Sequence, residues 1–385
     1  MRFADNRNKI GKYIPAVVFL IFIYGMALWF IFSPKPDYSS SEKRYLQKFP
    51  EVTAEKLLSG DFGSEFETFF ADRFPQRNTW VGLNAYTALA EGNNGASGVY
   101  NCKNGYLINK PVSTENNLDK NIGAVADFAK SIDTPTTVML VPSTGYIVDD
   151  VLPTFHDKYN DDEDISKISS TLSKNKIGFV DLRERFKSEY KNGSQLYYKT
   201  DHHWTTKGAY TGYQELCKTL GITPIDDSTL KKDSYPDFYG TTYSSSGFWL
   251  TPPDNIEIWN NPKNSDRNIS VKITEGANIK TSGSMYFTDH LKEDDKYPVF
   301  TDGNHALTEI TNTNAKNGTI LLIKDSFSHS LAPFLAENYS KVVLVDLRYY
   351  KESVSDLVTT YNPEQVVVLY GIDNLATDTD IVWLK

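Results

Sequence analysis

The hydrophobic positions of this chain fall into three patterns, and each predicts a different kind of element. The first is an unbroken apolar run, Ile14 to Phe32, 19 residues without a charge. At a rise of about 1.5 Å per residue, a helix of that length crosses a hydrocarbon core about 30 Å thick, so the run reads as a transmembrane helix. A cleaved signal peptide usually has a shorter apolar stretch, about 7 to 15 residues, followed by a small-x-small site. Here the flank is Ser33-Pro34-Lys35-Pro36, which favours an uncleaved anchor.

The second pattern begins near residue 115, where helical stripes alternate with short apolar runs. Leu118, Ile122, Val125, Ala129 and Ile132 share a helical face and precede the β-branched run Thr136 to Val141; Ile165, Ile168 and Leu172 precede Ile177 to Leu182. Lys207 to Leu220 is helical by Ala209, Tyr213, Leu216 and Leu220, with Gly221 as its stop. Thr319 to Ile323, Val342 to Val345 and Val366 to Leu369 then read as buried strands, separated by a helix over Leu331 to Glu337 and one bearing Val354, Leu357, Val358 and Tyr361. Strands apolar on both faces and joined by helices predict an α/β domain with a mostly parallel sheet flanked by helices, its ligands bound outside the carboxyl ends of the strands.

The third pattern is weaker. Residues 51 to 91 carry helical offsets through Phe62, Phe66, Phe69 and Phe70 with a break at Pro75, and Val99-Tyr100 with Tyr106 to Ile108 reads as a hairpin. Residues 227 to 310 are rich in Ser, Thr, Tyr and Asn without helical stripes, and read as a β or irregular insertion that shapes a cleft wall. The predicted organisation is a tail (1–13), an anchor (14–32), a linker (33–50) and a folded domain (51–385) with its insertion near 227–310.

Charge fixes the expected orientation. The chain carries net −9, yet its first 13 residues hold Arg2, Arg7, Lys9 and Lys12 against Asp5 alone. The positive-inside bias keeps that tail in the cytoplasm and sends the domain outward, so a single-pass, extracytoplasmic placement is expected. The acidic remainder shows no Lys/Arg cluster, which argues against nucleic acid as a partner. Two cysteines, Cys102 and Cys217, exclude a disulfide framework and a four-Cys zinc site; one bridge and two buried thiols are both compatible with the sequence.

Two segments carry candidate chemistry. Thr200-Asp201-His202-His203-Trp204 stands just before the 207–220 helix, and Lys324-Asp325-Ser326-Phe327 stands at the end of the strand Thr319 to Ile323. A serine at a strand-to-helix turn projects from the sheet edge beside amides that stabilise an oxyanion, but it needs an imidazole as base and a carboxylate to orient that base. In an extended segment Asp201 and His203 project to one face and His202 to the other. Each segment also has a plainer reading as an N-cap, Asp325-Ser326 for one helix and Asp201 for the other. A metal reading of Asp201-His202-His203 lacks a second ligand cluster, so no metal or other cofactor is expected.

The Asp201-His202-His203-Trp204 block resembles the signature of the bacterial DHHW family, and the chain is similar more broadly to membrane-anchored SGNH-hydrolase-like proteins of alginate- and cellulose-type exopolysaccharide O-acetylation. Phe70 to Arg77, Asn104 to Leu107, residues 200 to 208 and Lys324 to Phe327 carry the likeness over most of residues 45 to 376. The resemblance implies an SGNH/flavodoxin-like fold, circularly permuted because the Asp/His block precedes the serine block. It implies Ser326 as nucleophile, His203 as general base and Asp201 as the orienting carboxylate. Tyr370-Gly371-Ile372-Asp373-Asn374 is similar to the Gly-x-Asn-Asp block with its last two residues exchanged, which makes Asn374 an oxyanion donor beside the Ser326 amide. Lys324 departs from the family's usual glycine.

These readings together predict a membrane-anchored serine O-acetyltransferase or acetylesterase acting on a polysaccharide acceptor, and the resemblance implies a membrane-bound O-acyltransferase as acyl-donor partner. Trp204 is a candidate for stacking on sugar rings, as are Tyr243, Trp249 and Trp259. The competing expectations are a noncatalytic glycan-binding or scaffold subunit of an envelope assembly and, more weakly, a metal-dependent phosphoesterase.

Overall fold

The computed structural model describes residues 2–112 and 117–384, and these form two units, Met1–Tyr86 and Thr87–Lys385. The first unit begins with helix α1 (Arg2–Phe32), whose portion Tyr13–Phe32 is long and apolar enough to be a candidate membrane span. Helices Ala54–Ser59 and α2 (Asp61–Asp72) follow. Arg73, buried at the end of α2, donates to the Lys35 carbonyl at 2.8 Å, the Gln47 carbonyl at 3.0 Å and the Asp37 carboxylate at 3.0 Å. Asp72 accepts from Arg44 and from the Gln47 amide. These two side chains strap the chain that follows α1 onto α2.

The second unit is built on an eight-stranded mixed sheet: β1 (Thr136–Val141), β2 (Gly178–Asp181), β3 (Ile269–Glu275), β4 (Asn278–Ser282), β5 (Leu307–Asn312), β6 (Asn317–Lys324), β7 (Tyr339–Val345) and β8 (Gln365–Gly371), in spatial order β4-β3-β5-β7-β6-β8-β1-β2. The five strands β7-β6-β8-β1-β2 are parallel, and β4, β3 and β5 extend one edge antiparallel. The parallel half is where continuous apolar runs were expected, and alternation explains why they are apolar on both faces. Met139, Val141, Leu322, Leu344 and Leu369 enter the core beneath α5 (Thr206–Leu220) and α6 (Ser328–Leu335). Val138, Leu140, Ile323, Val345 and Val368 enter the opposite core beneath α3 (Leu118–Ser131), α4 (Asp161–Lys174) and α7 (Val354–Tyr361). Both faces are covered, so neither can be polar.

The segment read as an insertion departs from that reading in part. Its β3, with β5 next to it, joins the main sheet, and the signal was a period of two: Ile269, Val271 and Ile273 are buried, with Ser270 and Lys272 between them less so. Strand Lys231–Phe238 pairs separately with Asp254–Asn260. Cys102 and Cys217 are both buried free thiols.

Candidate active site

The site is assembled at the carboxyl edge of the parallel strands, where backbone ends point at a common space. β6 runs out at Lys324, and the tight turn Asp325–Phe327 leads into α6. Asp325 shapes that turn: its Oδ1 accepts from the Phe327 amide at 3.0 Å, and its Oδ2 accepts from the Gly371 amide and Asn374 Nδ2, both at 2.7 Å. The carboxylate therefore ties the end of β6 to the start of α8 (Ile372–Thr377), and burial raises its pKa in spite of these three donors. Lys324 turns away into the core to pair with Asp346 at 2.9 Å.

The second segment is a tight loop rather than an extended strand. Tyr197 bridges Trp204, the Tyr198 amide donates to the His203 carbonyl, and residues 199–203 bend between them. Asp254 anchors this loop, accepting from the Lys199 amide at 2.9 Å, the Thr200 amide at 2.8 Å, the Thr200 hydroxyl at 2.7 Å and Gln195 Nε2 at 3.0 Å.

The two segments meet in one relay. Ser326 Oγ lies 2.7 Å from His203 Nε2, and His203 Nδ1 lies 2.5 Å from Asp201 Oδ1, which also accepts from the His203 amide at 2.8 Å. The imidazole is fixed in its plane by Tyr297, stacked at 4.1 Å between centroids, and by the edge of Phe327 at 5.0 Å. Asp201 Oδ2 accepts from the Thr241 amide at 2.7 Å and the Thr241 hydroxyl at 3.1 Å. Burial opposes its charge, but the His203 and His202 imidazoles and the Thr241 amide outweigh burial and hold the carboxyl well below the usual range. Gly240 makes this approach possible, because a Cβ there would lie 2.1 Å from Asp201 Cβ.

His202 does not point away. Its ring lies 3.9 Å from that of His203, and its Nδ1 is 2.6 Å from Thr241 Oγ1. The single hydroxyl proton of Thr241 is committed to Asp201, so the hydroxyl accepts from His202, which fixes the Nδ1–H tautomer and leaves Nε2 as an acceptor. Burial and the neighbouring His203 push the His202 pKa down to about 4. Asp201, His202 and His203 bring ligand-type atoms within 4.8 Å of one another. Both Asp201 oxygens, both His203 nitrogens and His202 Nδ1 are already engaged in the relay, however, so a metal ion would have to dismantle it, and the donor set does not fit one.

Outside the relay lies a cleft of about 540 Å³ lined by Ser326, His202, His203, Tyr297, Arg348 and Asn374. Asn374 is at the cleft with one amide N–H given to Asp325. Trp204 is not: it is fully buried, its indole N–H donating to the Phe327 carbonyl at 3.0 Å and Ser330 Oγ at 2.9 Å, so it braces the serine turn from beneath instead of meeting a sugar. Trp259 is likewise buried, with Lys232 over its ring, while Tyr243 and Trp249 are half-buried. Thr241, Gly240, Asp254 and Tyr297 are the site's unforeseen members. All four come from 227–310, where Gly240 and Thr241 open the short helix Thr241–Ser246.

The sequence profile of the DHHW protein family matches residues 112–345, more than half of the chain. The chain belongs to the DHHW family. Among solved structures it is similar to a DHHW family protein from Eubacterium siraeum, with a TM-score of 0.63 at 17% identity over 75% of this chain and 95% of that one. Bacillus cereus PatB1, solved with a sulfonyl adduct, matches with a TM-score of 0.60 at 21% identity, over 74% of this chain and 97% of that one. The O-acetyltransferase domain of Pseudomonas putida AlgJ matches with a TM-score of 0.47 at 14% identity, over 75% and 95%. No curated protein matches the chain.

Proposed function

We propose that this DHHW protein is a membrane-anchored serine acyltransferase that moves an acetyl group onto a hydroxyl of a cell-surface or secreted polysaccharide. The observation that carries the reading is the continuous Asp201–His203–Ser326 relay opening on a cleft. Ser326 Oγ attacks the acyl carbon of an ester while its proton passes to His203 Nε2; the C–O bond to the leaving alcohol breaks, and that alcohol departs with the His203 proton. The acceptor hydroxyl then gives its proton to His203 and attacks the acetyl-serine, and Ser326 recovers its proton as it leaves. Asp201, charged throughout, orients His203 and stabilises the imidazolium. The Ser326 amide, which meets no acceptor among the described residues, and the second amide N–H of Asn374 supply the oxyanion donors. His202 accepts, through Nε2, from a second hydroxyl of the acceptor. With water as acceptor the same steps make an esterase.

In this reading residues 1–13 are cytoplasmic, 14–32 span the membrane, 33–50 link, and 51–385 work outside, supplied with acetyl by a membrane-bound O-acyltransferase as the family resemblance implies. The base loop precedes the nucleophile in the chain because the SGNH order is circularly permuted.

Replacing Ser326 by Ala tests the reading. Cleavage of 4-nitrophenyl acetate is expected to fall by about 1,000-fold or more while the circular dichroism stays that of the wild type; undiminished cleavage would sink the mechanism.

A further inference from the structure

The first unit carries a surface that the catalytic reading does not use. Leu58 is 90% exposed, Val52 64%, Phe49 58%, Leu57 55%, Phe70 42% and Phe66 38%, and all lie within one short stretch of chain. The phenylalanines are contiguous: Phe49 meets Phe66 at 6.1 Å and Phe69 at 5.4 Å, and Phe62 stacks on Phe66 at 6.1 Å. On α2, Phe62, Phe66, Phe69 and Phe70 recur at offsets of four, seven and eight, one face of a helix. An apolar patch of this extent on a soluble surface marks an interaction site.

The span says what covers it. Phe30, in the last turn of the apolar stretch of α1, contacts Phe70 at 4.7 Å and Phe69 at 6.2 Å, so the end of α2 sits beside the end of the span. The Arg73 clamp on the Lys35 and Gln47 carbonyls locks that juxtaposition. Lys56 and Glu65, paired at 2.8 Å, hold helix Ala54–Ser59 against α2. We propose that the phenylalanine face of α2, with Phe49 to Leu58, is seated in the interfacial layer of the phospholipid bilayer as a collar around the end of the spanning helix. Residues 42 to 77 carry six basic and seven acidic side chains, so seating is driven by apolar burial and not by attraction to anionic headgroups. The collar gives the short linker a fixed footing on the membrane.

The inference rests on the reading of α1 as a span, and its test separates the two. The full chain is reconstituted in phosphatidylcholine vesicles as variants with one added cysteine, Leu58→Cys, Phe66→Cys and, on the opposite face of α2, Thr68→Cys, each labelled there with a nitrobenzoxadiazole dye; both native thiols are buried. Flotation with the vesicles reports the span. Dye at 58 and 66 is expected to be quenched by lipids brominated near the headgroup, and dye at 68 is not, with the same result when phosphatidylglycerol is added. Equal, weak quenching at all three positions in floated protein overturns the collar. Protection of the unlabelled Cys variants at 58 and 66 from an impermeant maleimide, without lipid quenching of their dye-labelled forms, overturns it too, because a protein surface then covers the patch.

Discussion

The two segments that meet at Ser326 are built on different principles. The serine turn is a product of the sheet: β6 and β8 end side by side, and Asp325 closes the turn by accepting from Phe327, Gly371 and Asn374. The loop that carries Asp201 and His203 has no strand to hold it. It is held from outside by Asp254, which accepts from both the Lys199 and Thr200 amides, and by Gly240-Thr241 against Asp201. Their carboxylates diverge accordingly: burial raises Asp325, while Asp201, facing two imidazoles, stays charged. A nucleophile needs only position, and a base needs position together with a charge behind it.

Breaking the outside support should hurt most. Asp254→Ala leaves the Lys199 and Thr200 amides without their acceptor and the Thr200 hydroxyl with the Phe238 carbonyl alone, and is expected to lower esterase kcat/KM by about 100-fold and stability by about 3 kcal/mol. Steady-state kinetics with a chemical denaturation curve checks both. Asp325→Asn should do less, about tenfold in kcat/KM, because an amide oxygen retains the Gly371 and Asn374 donors and burial already opposes the charge. A larger loss from Asp325→Asn than from Asp254→Ala would reverse the comparison.

A finer test bears on His202. His202→Ala should lower acetyl transfer to a polyol such as glycerol, relative to hydrolysis, by about tenfold, and His202→Gln, which places an amide oxygen near the Nε2 position, should restore part of it. Product analysis of the two fates of the acetyl group measures this ratio, and an unchanged ratio in both variants removes His202 from acceptor binding.

The smallest effect lies behind the turn, at Asp373 and Asp161. Burial, with the Asp161 charge beside it, raises Asp373 to about 7, and burial raises Asp161 to about 6. An acid raised on folding loses its proton first in the unfolded chain as pH increases, so its contribution is complete below about pH 4 and is lost through about pH 7. Asp373→Asn should therefore raise the thermal midpoint above that of the wild type at pH 8 and leave it near the wild-type value at pH 4. A pH-independent difference would contradict the assignment.

What the sequence made legible follows the same division. The parallel strands, their helices and Ser326 at a strand end could be read because runs such as Thr319 to Ile323 are apolar on both faces, which local pattern reports. Asp201 and His203 were visible through the DHHW block. Asp254, Gly240, Thr241 and Tyr297 were not, since their roles depend on tertiary approach from a polar segment whose period-two signal at Ile269, Val271 and Ile273 is short. Trp204 misled for a related reason: an aromatic residue beside a catalytic motif can brace the motif from the core side as readily as face a ligand, and burial alone distinguishes the two.

The account stands or falls on an acyl-serine, and intact-mass spectrometry of the full-length protein after brief exposure to 4-nitrophenyl acetate tests it most directly. Wild type is expected to gain about 42 Da, one acetyl group in place of a proton, and Ser326→Ala to gain nothing. A wild-type mass that never shifts while the ester is left intact, or an equal shift in both proteins, would contradict it.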